Sequence, residues 1–408
     1  MKTKITRLNI ENKEVDDQLK EYFSKVNVFG NEPMILQKDE NSDKVSISKP
    51  CTQEFFEKVF DYKGPFWDVY RNLGLSDLSK DIKYVKFVCG QMYFLKNIEN
   101  DFIQDFDSEK KFIIKDGILF EENRTNSILN SINLSLNSFK RSKNKNKLKV
   151  IADDQIDKFE EFKEKADKYY NYYSDEKNID KPIKIAKDSL ELAVNSMIFS
   201  NLALLSYNLK INLKRSEAIE KCESDELEKL VISGDTEGIK KKFGFYSLAP
   251  YDVSYMRFSE NPTQLEKYGS FACPVNYAMR WRENAKFVAA RYLEIQRRAL
   301  KMIGATSGLN ELVFYFKTSE LEKLNLNDKS AIEAIISVGK NRKMIYERYK
   351  DFILPIKIIF YNGIIYKVDN SVNDGNEKDL INSLSVSSKE TIIAPVVNIN
   401  SFEDYSKF

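Results

Sequence analysis

Val275-Asn-Tyr-Ala-Met-Arg-Trp-Arg-Glu-Asn-Ala-Lys-Phe-Val-Ala-Ala-Arg-Tyr-Leu-Glu-Ile-Gln-Arg-Arg-Ala-Leu-Lys-Met-Ile303 carries two periodic faces at once. At about 100° per residue, Trp281, Val288, Tyr292, Ile295 and Ala299 share one side of a helix as a core-facing stripe. Arg280, Arg291 and Arg298 fall within about 20° of one another on a different side, with Asn284 and Phe287 between them. This spacing predicts one long helix over 275–303. A second apolar helix is predicted over 182–212, where no charged residue interrupts Leu192–Leu209. That run has the length of a short membrane span. However, Asn195, Ser196, Ser200, Asn201, Ser206 and Asn208 lie within it, and burying them in lipid would be expensive. It therefore reads as the central helix of the fold. With only 14 glycines and 9 prolines, the chain favours helix over a turn-rich β architecture. The expected class is mainly α (α+β): a large helical domain with small β-hairpins.

Working outward, residues 1–45 are charged, broken by Gly30 and Pro33, and read as an N-terminal leader with a short helix near Val15–Val26. Thr52 precedes Phe55, Phe56, Val59 and Phe60, which share a helical face, so Thr52 reads as an N-cap. A further helix follows Gly64-Pro65 and stops at Gly74. Tyr84–Leu95 reads as two short strands around Gly90. Residues 121–150 are rich in Asn, Ser and Lys and read as a flexible segment, with basic residues clustered at 140–149. Without interleaved aromatics to stack bases, that cluster reads as solvated linker, and a nucleic-acid partner is not expected. Charged helices are predicted over 153–173 and 215–232. Ile356–Tyr361, Asn362-Gly363 and Ile364–Val368 form a hairpin signature with a type I′ turn. The helical domain is thus expected over 46–368. Thr391–Ile399 is another strand-like run within 369–408.

None of the 408 residues is histidine. That removes Ser-His-Asp and Cys-His nucleophile systems, the usual zinc sites and any phosphohistidine intermediate. No metal site is expected, and no residue is assigned a catalytic role. The net charge of +2 argues against electrostatic nucleic-acid binding by the whole molecule. The N-terminus has no secretory pattern, and Cys51, Cys89, Cys222 and Cys273 form no C-x-x-C pair. Reduced thiols in a cytoplasm, with no membrane partner, are the expectation. The arginine row admits two readings: a bidentate clamp for carboxylates or phosphates, or salt bridges to neighbouring acidic helices.

Residues 239–298 contain Phe243-Gly244-Phe245-Tyr246, Tyr251-Asp252-Val253, Arg257-Phe258 and Glu260-Asn261-Pro262. The long helix then reads Arg282-Glu283-Asn-Ala-Lys286-Phe287-Val-Ala-Ala-Arg291. With Pro50-Cys-Thr52, Gly64–Trp67 and Val88–Tyr93 upstream, and Leu354-Pro355 and Ile392–Val397 downstream, this order resembles the phosphoenolpyruvate synthase and pyruvate phosphate dikinase-like phosphotransferases. The resemblance spans about residues 45–400. That family has an ATP-grasp domain, a mainly helical central domain and a swivelling phosphohistidine domain.

The resemblance implies that this chain is the central acceptor-binding or linker domain, followed over 369–408 by the start of an α/β swivelling domain. ATP and Mg would then belong to a missing domain, with no cofactor on this chain. Partners would be the ATP-grasp and phosphohistidine domains or subunits and a phosphoryl acceptor. Tyr251, Asp252, Arg257, Glu260, Arg280, Arg282, Lys286 and Arg291 become candidates for substrate contacts. Gly244, Phe245, Pro262 and Glu283 become structural members of the motif. Two departures stand out: Phe245 occupies the place where the family usually has histidine, and Gln91 one where arginine is common. The chain is therefore expected to be incompetent alone. A degenerate, non-catalytic binding or scaffold protein is the rival reading.

Overall fold

The structure is a computed structural model of the chain and describes residues 2–8, 13–25, 32–38, 47–73, 83–98, 110–115, 117–123, 130–262, 274–324, 329–351 and 354–368. It is mainly α, with one antiparallel sheet. In chain order the elements begin β1 (Lys2–Arg7), α1 (Lys13–Lys25), β2 (Met34–Lys38), α2 (Pro50–Val59) and α3 (Pro65–Leu73). Next come β3 (Val85–Val88), β4 (Gln91–Leu95), β5 (Lys110–Lys115), β6 (Ile118–Asn123), α4 (Asn130–Tyr173) and α5 (Pro182–Asn208). Then follow α6 (Glu217–Glu220), α7 (Glu223–Ile232), α8 (Thr236–Phe243), α9 (Tyr277–Ser307) and α10 (Thr318–Leu321). The last are α11 (Lys329–Arg348), β7 (Lys357–Tyr361) and β8 (Ile364–Val368).

The helical core forms where α5 and α9 pack along each other. Ala186, Ala193 and Ala203 of α5 and Ala285, Ala289 and Ala299 of α9 are all buried, and such small side chains let two helix axes approach closely. Trp281, Val288, Tyr292, Ile295 and Ala299 are buried as their spacing predicts. Asn276 caps α9 by accepting from the Ala278 and Met279 amides, and Gly308 ends it at φ 78°. Among the described residues one helix, α5, is long and apolar enough to cross a membrane, and most of its most apolar window is buried inside the protein.

The strands join in the order β3-β4-β2-β7-β8-β1-β6-β5. The β7–β8 hairpin turns through Asn362 and Gly363 at φ 49° and 76°, which is the type I′ geometry its sequence demands. One sheet face carries Val15, Leu19 and Phe23 of α1 against Leu36, Tyr93, Leu95, Ile358 and Ile365. A second cluster joins Ile5, Ile35, Phe112, Leu119 and Ile359.

Several expectations change. Residues 1–45 are not a leader, because β1 pairs with both β6 and β8, and β2 pairs with both β4 and β7. The segment read as a flexible linker supplies the end of β6 and the first turns of α4. The predicted helix at 215–232 is two helices, broken at Lys221-Cys222. Thr52 is not an N-cap: α2 starts at Pro50 with Lys49 before it, because proline suits the first helical turn. Cys222 is disulfide-bonded, whereas Cys51 and Cys89 are buried free thiols, so the expectation of four reduced cysteines fails. The strand-like run at 391–399 and the expected start of a swivelling domain lie outside the described residues.

Candidate functional site

The segment from Gly244 to Pro262 folds back on itself. The Ser259 amide donates to the Gly244 carbonyl (3.1 Å) and the Phe258 amide to the Tyr246 carbonyl (2.9 Å). Gly244 is required there, because a Cβ would run into the Lys240 carbonyl and come within 3.1 Å of the Ser259 Cβ. Inside the loop lies Arg257, which is fully buried. Its Nε faces a Glu294 carboxylate oxygen at 3.3 Å and its Nη1 donates to Ser247 Oγ at 2.8 Å. Asp252 accepts from Thr52 Oγ1, the Ser254 amide and Ser254 Oγ, each at 2.8 Å.

Glu260 accepts from the Arg257 amide (2.9 Å), from Arg297 Nη2 (2.8 and 3.0 Å) and from Lys301. Burial pushes the Glu260 pKa up, but the Lys301, Arg257 and Arg297 donors outweigh it and hold the carboxyl at about 2. Arg297 also donates to the Val253 carbonyl at 3.1 Å. The Asp252, Arg257 and Glu260 side chains are thus the loop's internal fastenings to α2 and α9. Pro262 ends this described stretch and is partly exposed.

The arginine row on α9 finds its anions within the chain. Arg291 meets Glu223 at 2.5 Å and Asp167 at 2.6 Å, and its guanidinium lies 4.4 Å from the centroid of the Phe245 ring. Arg280 bonds the Glu220 carbonyl and faces Asp225 at 3.5 Å. Arg298 meets Glu294 at 2.7 Å and the Ser174 carbonyl at 2.7 Å. Between them Asn284, fully buried, donates to the Ala218 and Lys221 carbonyls (2.7 and 3.0 Å) and accepts from the Glu223 amide (3.1 Å). That asparagine satisfies the backbone groups freed by the break between α6 and α7. The row therefore fastens α4 and α7 to α9. Arg257, Arg280 and Arg291, expected as contacts for an external anion, are instead engaged by the chain's own carboxylates and carbonyls.

A different group keeps spare charge. Tyr251, Arg282, Glu283 and Lys286 are all partly exposed. Lys286 Nζ donates to Glu283 Oε1 at 2.6 Å, while Arg282 makes no hydrogen bond or ion pair with the described residues. Burial lowers the Lys286 pKa; Glu283 opposes that shift, and the like charge of Arg282 adds to it. Tyr251 stacks on Phe55 at 5.6 Å. Burial raises its pKa, against the pull of the neighbouring Arg282. With Glu283 paired to Lys286 and Arg282 without an ion pair among the described residues, the group has an excess of one positive charge. An anionic group would neutralise it.

No protein-family model and no curated protein matches the chain.

Among the described residues no group of three or more Cys, Asp or Glu is placed to hold a metal ion. Cys51, although in the first turn of α2, is no nucleophile: burial, then the nearby Asp252 carboxylate, pushes its thiol up to about 12. Elsewhere a cleft of about 600 Å³ opens between α2, β3 and α5, where Glu57, Lys58, Lys83 and Glu191 leave no excess of either sign. Sequence reasoning missed Glu223, Glu294 and Arg297. Only Glu294 had a local signal, its four-residue spacing from Arg298 on one helix.

Proposed function

We propose that this chain is the acceptor-binding and linker domain of a dikinase-type phosphotransferase, acting with separate ATP-grasp and phosphohistidine domains or subunits. Phosphoryl transfer depends on positioning and charge neutralisation, and a central domain contributes those without carrying phosphate itself. The observation that carries the reading is the partly exposed Arg282–Lys286 pair on α9, with Glu283 as its one carboxylate and Tyr251 beside it. Its residues belong to the same motif run as the phosphotransferase resemblance. Arg282 and Lys286 would hold the anionic end of the acceptor, and the Tyr251 hydroxyl would orient it.

The rival reading, a non-catalytic scaffold, draws support from the internal pairing of Arg257, Arg280 and Arg291. A thermal melt with and without sulfate separates the two. Sulfate is expected to stabilise the wild-type chain and Arg291→Lys, and to lose that effect in Arg282→Ala/Lys286→Met. Equal stabilisation of all three proteins, or of none, would leave the scaffold reading standing. The isolated chain should take up no acid-labile phosphate from labelled ATP, since it has no histidine to carry it.

A further inference from the structure

The sheet ends on β3 at one side and on β5 at the other, and the two edges are guarded differently. β5 carries Lys110, Lys111 and Lys115, and charge of that kind deters a further strand from pairing. β3 holds one lysine, Lys86, whose Nζ lies 5.7 Å from the centroid of the Tyr22 ring. The register decides which backbone groups of β3 are spare. The Leu95 amide donates to the Tyr84 carbonyl at 2.9 Å, while Lys86 stands opposite Tyr93 and Val88 opposite Gln91. Bonded and non-bonded pairs alternate along an antiparallel ladder, so Tyr84, Lys86 and Val88 turn their N–H and C=O groups towards β4. Val85 and Phe87 turn theirs the other way, where they meet no partner among the described residues.

That edge borders a cavity of about 380 Å³, walled by Gln18 and Tyr22 of α1 and by Gln53 and Glu57 of α2. The Tyr22 hydroxyl holds α1 in place by donating to the Lys83 carbonyl at 2.7 Å, and Phe56 of α2 meets the Phe87 ring at 6.3 Å. Glu57, Lys83 and Val85 also line the cleft of about 600 Å³ described above, so the two spaces adjoin along β3. A helix on each side leaves room for one extended chain but not for the edge of another folded sheet. The charges lining the smaller cavity, Glu21, Glu57, Lys83 and Lys86, cancel. An occupant is therefore held by its backbone rather than by charge.

We propose that the outer edge of β3 is a strand-addition site, where an extended, uncharged peptide segment of a partner protein pairs its backbone with Val85 and Phe87 between α1 and α2. The amide and carbonyl of each residue supply the hydrogen bonds, and alternate side chains of the peptide point towards α1 and towards α2. The length of β3 matches a partner segment of about four residues. The site shares no residue with the Arg282–Lys286 pair and does not rest on the phosphotransferase reading.

A capped, dye-labelled synthetic peptide of alternating threonine and valine, titrated with the full chain and read by fluorescence anisotropy, tests it. Recognition rests on the backbone, so a generic strand-forming sequence is a sufficient probe, and saturable binding is expected. Val85→Pro removes an amide aimed at the groove and spares the β3–β4 ladder, since proline is tolerated where an edge strand's N–H points outward. It should weaken binding about tenfold or more. Gln18→Trp, at a half-exposed position of α1, should block the groove with a similar loss. In melts without peptide both variants should stay within a few degrees of wild type, whereas Lys86→Pro, which breaks the ladder, should melt far lower. Absence of saturable binding, binding indifferent to both Val85→Pro and Gln18→Trp, or equal melting losses in Val85→Pro and Lys86→Pro would overturn the proposal. So would a wild-type dimer that Val85→Pro dissociates, because the edge would then serve a second copy of this chain.

Discussion

Phe245 shows how one residue can close off a chemical role. The resembled family usually places histidine there, but here a 2% exposed ring lies under the Arg291 guanidinium and against Tyr170 at 5.2 Å. Phe245→His should cost about 1–3 kcal/mol, because it puts a polar ring into a buried cluster of Phe243, Phe258 and Phe287. Burial would also depress its folded pKa below the unfolded value near 6.5, the Arg291 charge being already met by Glu223 and Asp167. The unfolded chain then binds the proton more readily, so the variant should lose further stability as pH falls through about 6.5 and below. Urea melts at pH 8 and pH 5.5 check this, and equal losses at both would show that the imidazole is not desolvated there.

Glu260 gives the opposite case. Its folded pKa of about 2 lies below the unfolded value near 4.5, so its contribution is complete above about 4.5 and is lost as pH falls towards 2. Glu260→Gln should therefore flatten the acid limb of the stability profile between those values. A profile identical to wild type would remove Glu260 from the fastening of the loop.

At the scale of elements, the decisive contacts join pieces far apart in sequence. Thr52 of α2 donates to Asp252 at 2.8 Å and accepts from the Val253 amide at 3.1 Å, across about 200 residues. Thr52→Val keeps the shape but takes one donor from the buried Asp252 carboxylate and leaves the Val253 amide without its acceptor. It should cost about 1.5–3 kcal/mol, read as a lower urea midpoint at unchanged slope, with Thr52→Ser restoring most of it. Contacts of this kind explain what the sequence could and could not disclose. The α9 stripe and the Asn362-Gly363 hairpin were legible because periodicity and turn chemistry are local. The start of α4 was legible only as a weak stripe of Ile132, Leu136 and Phe139 inside a segment read as flexible, because Asn and Ser are poor helix formers. At the site, the arginine row was visible but its acidic partners were not, since Asp167 and Glu223 come from other helices and carry no spacing signal.

For the whole molecule, the sheet gathers strands from both ends of the described chain. β1 sits between β8 and β6, with Ile5 opposite Val368 and Lys2 opposite Phe120. Deleting residues 1–8 would uncouple the β5–β6 hairpin from the rest of the sheet and bare two strand edges. The truncated protein is expected to aggregate or to be cut by protease near residues 110–123, while the helical core keeps most of its circular dichroism. A soluble, protease-resistant truncation would return β1 to the status of a dispensable leader.

The same placement has a consequence in time. A ribosome releases β1 and β2 first, but their partners β8 and β7 come more than 300 residues later. One edge of each N-terminal strand must wait more than 300 residues for its partner, and closing a loop of that length costs roughly 5 kcal/mol of chain entropy. The α5–α9 core, complete once Ser307 has emerged, can form before the sheet does. Until Lys357–Val368 arrives, β1 and β2 have only β6 and β4 to pair with, and each keeps one unmatched edge in a nascent protein. At a few residues to about 20 per second, that exposure lasts tens of seconds. Such a chain is a natural client for chaperones that hold extended segments, and its yield in a cell should depend more on them than on the stability of the finished fold.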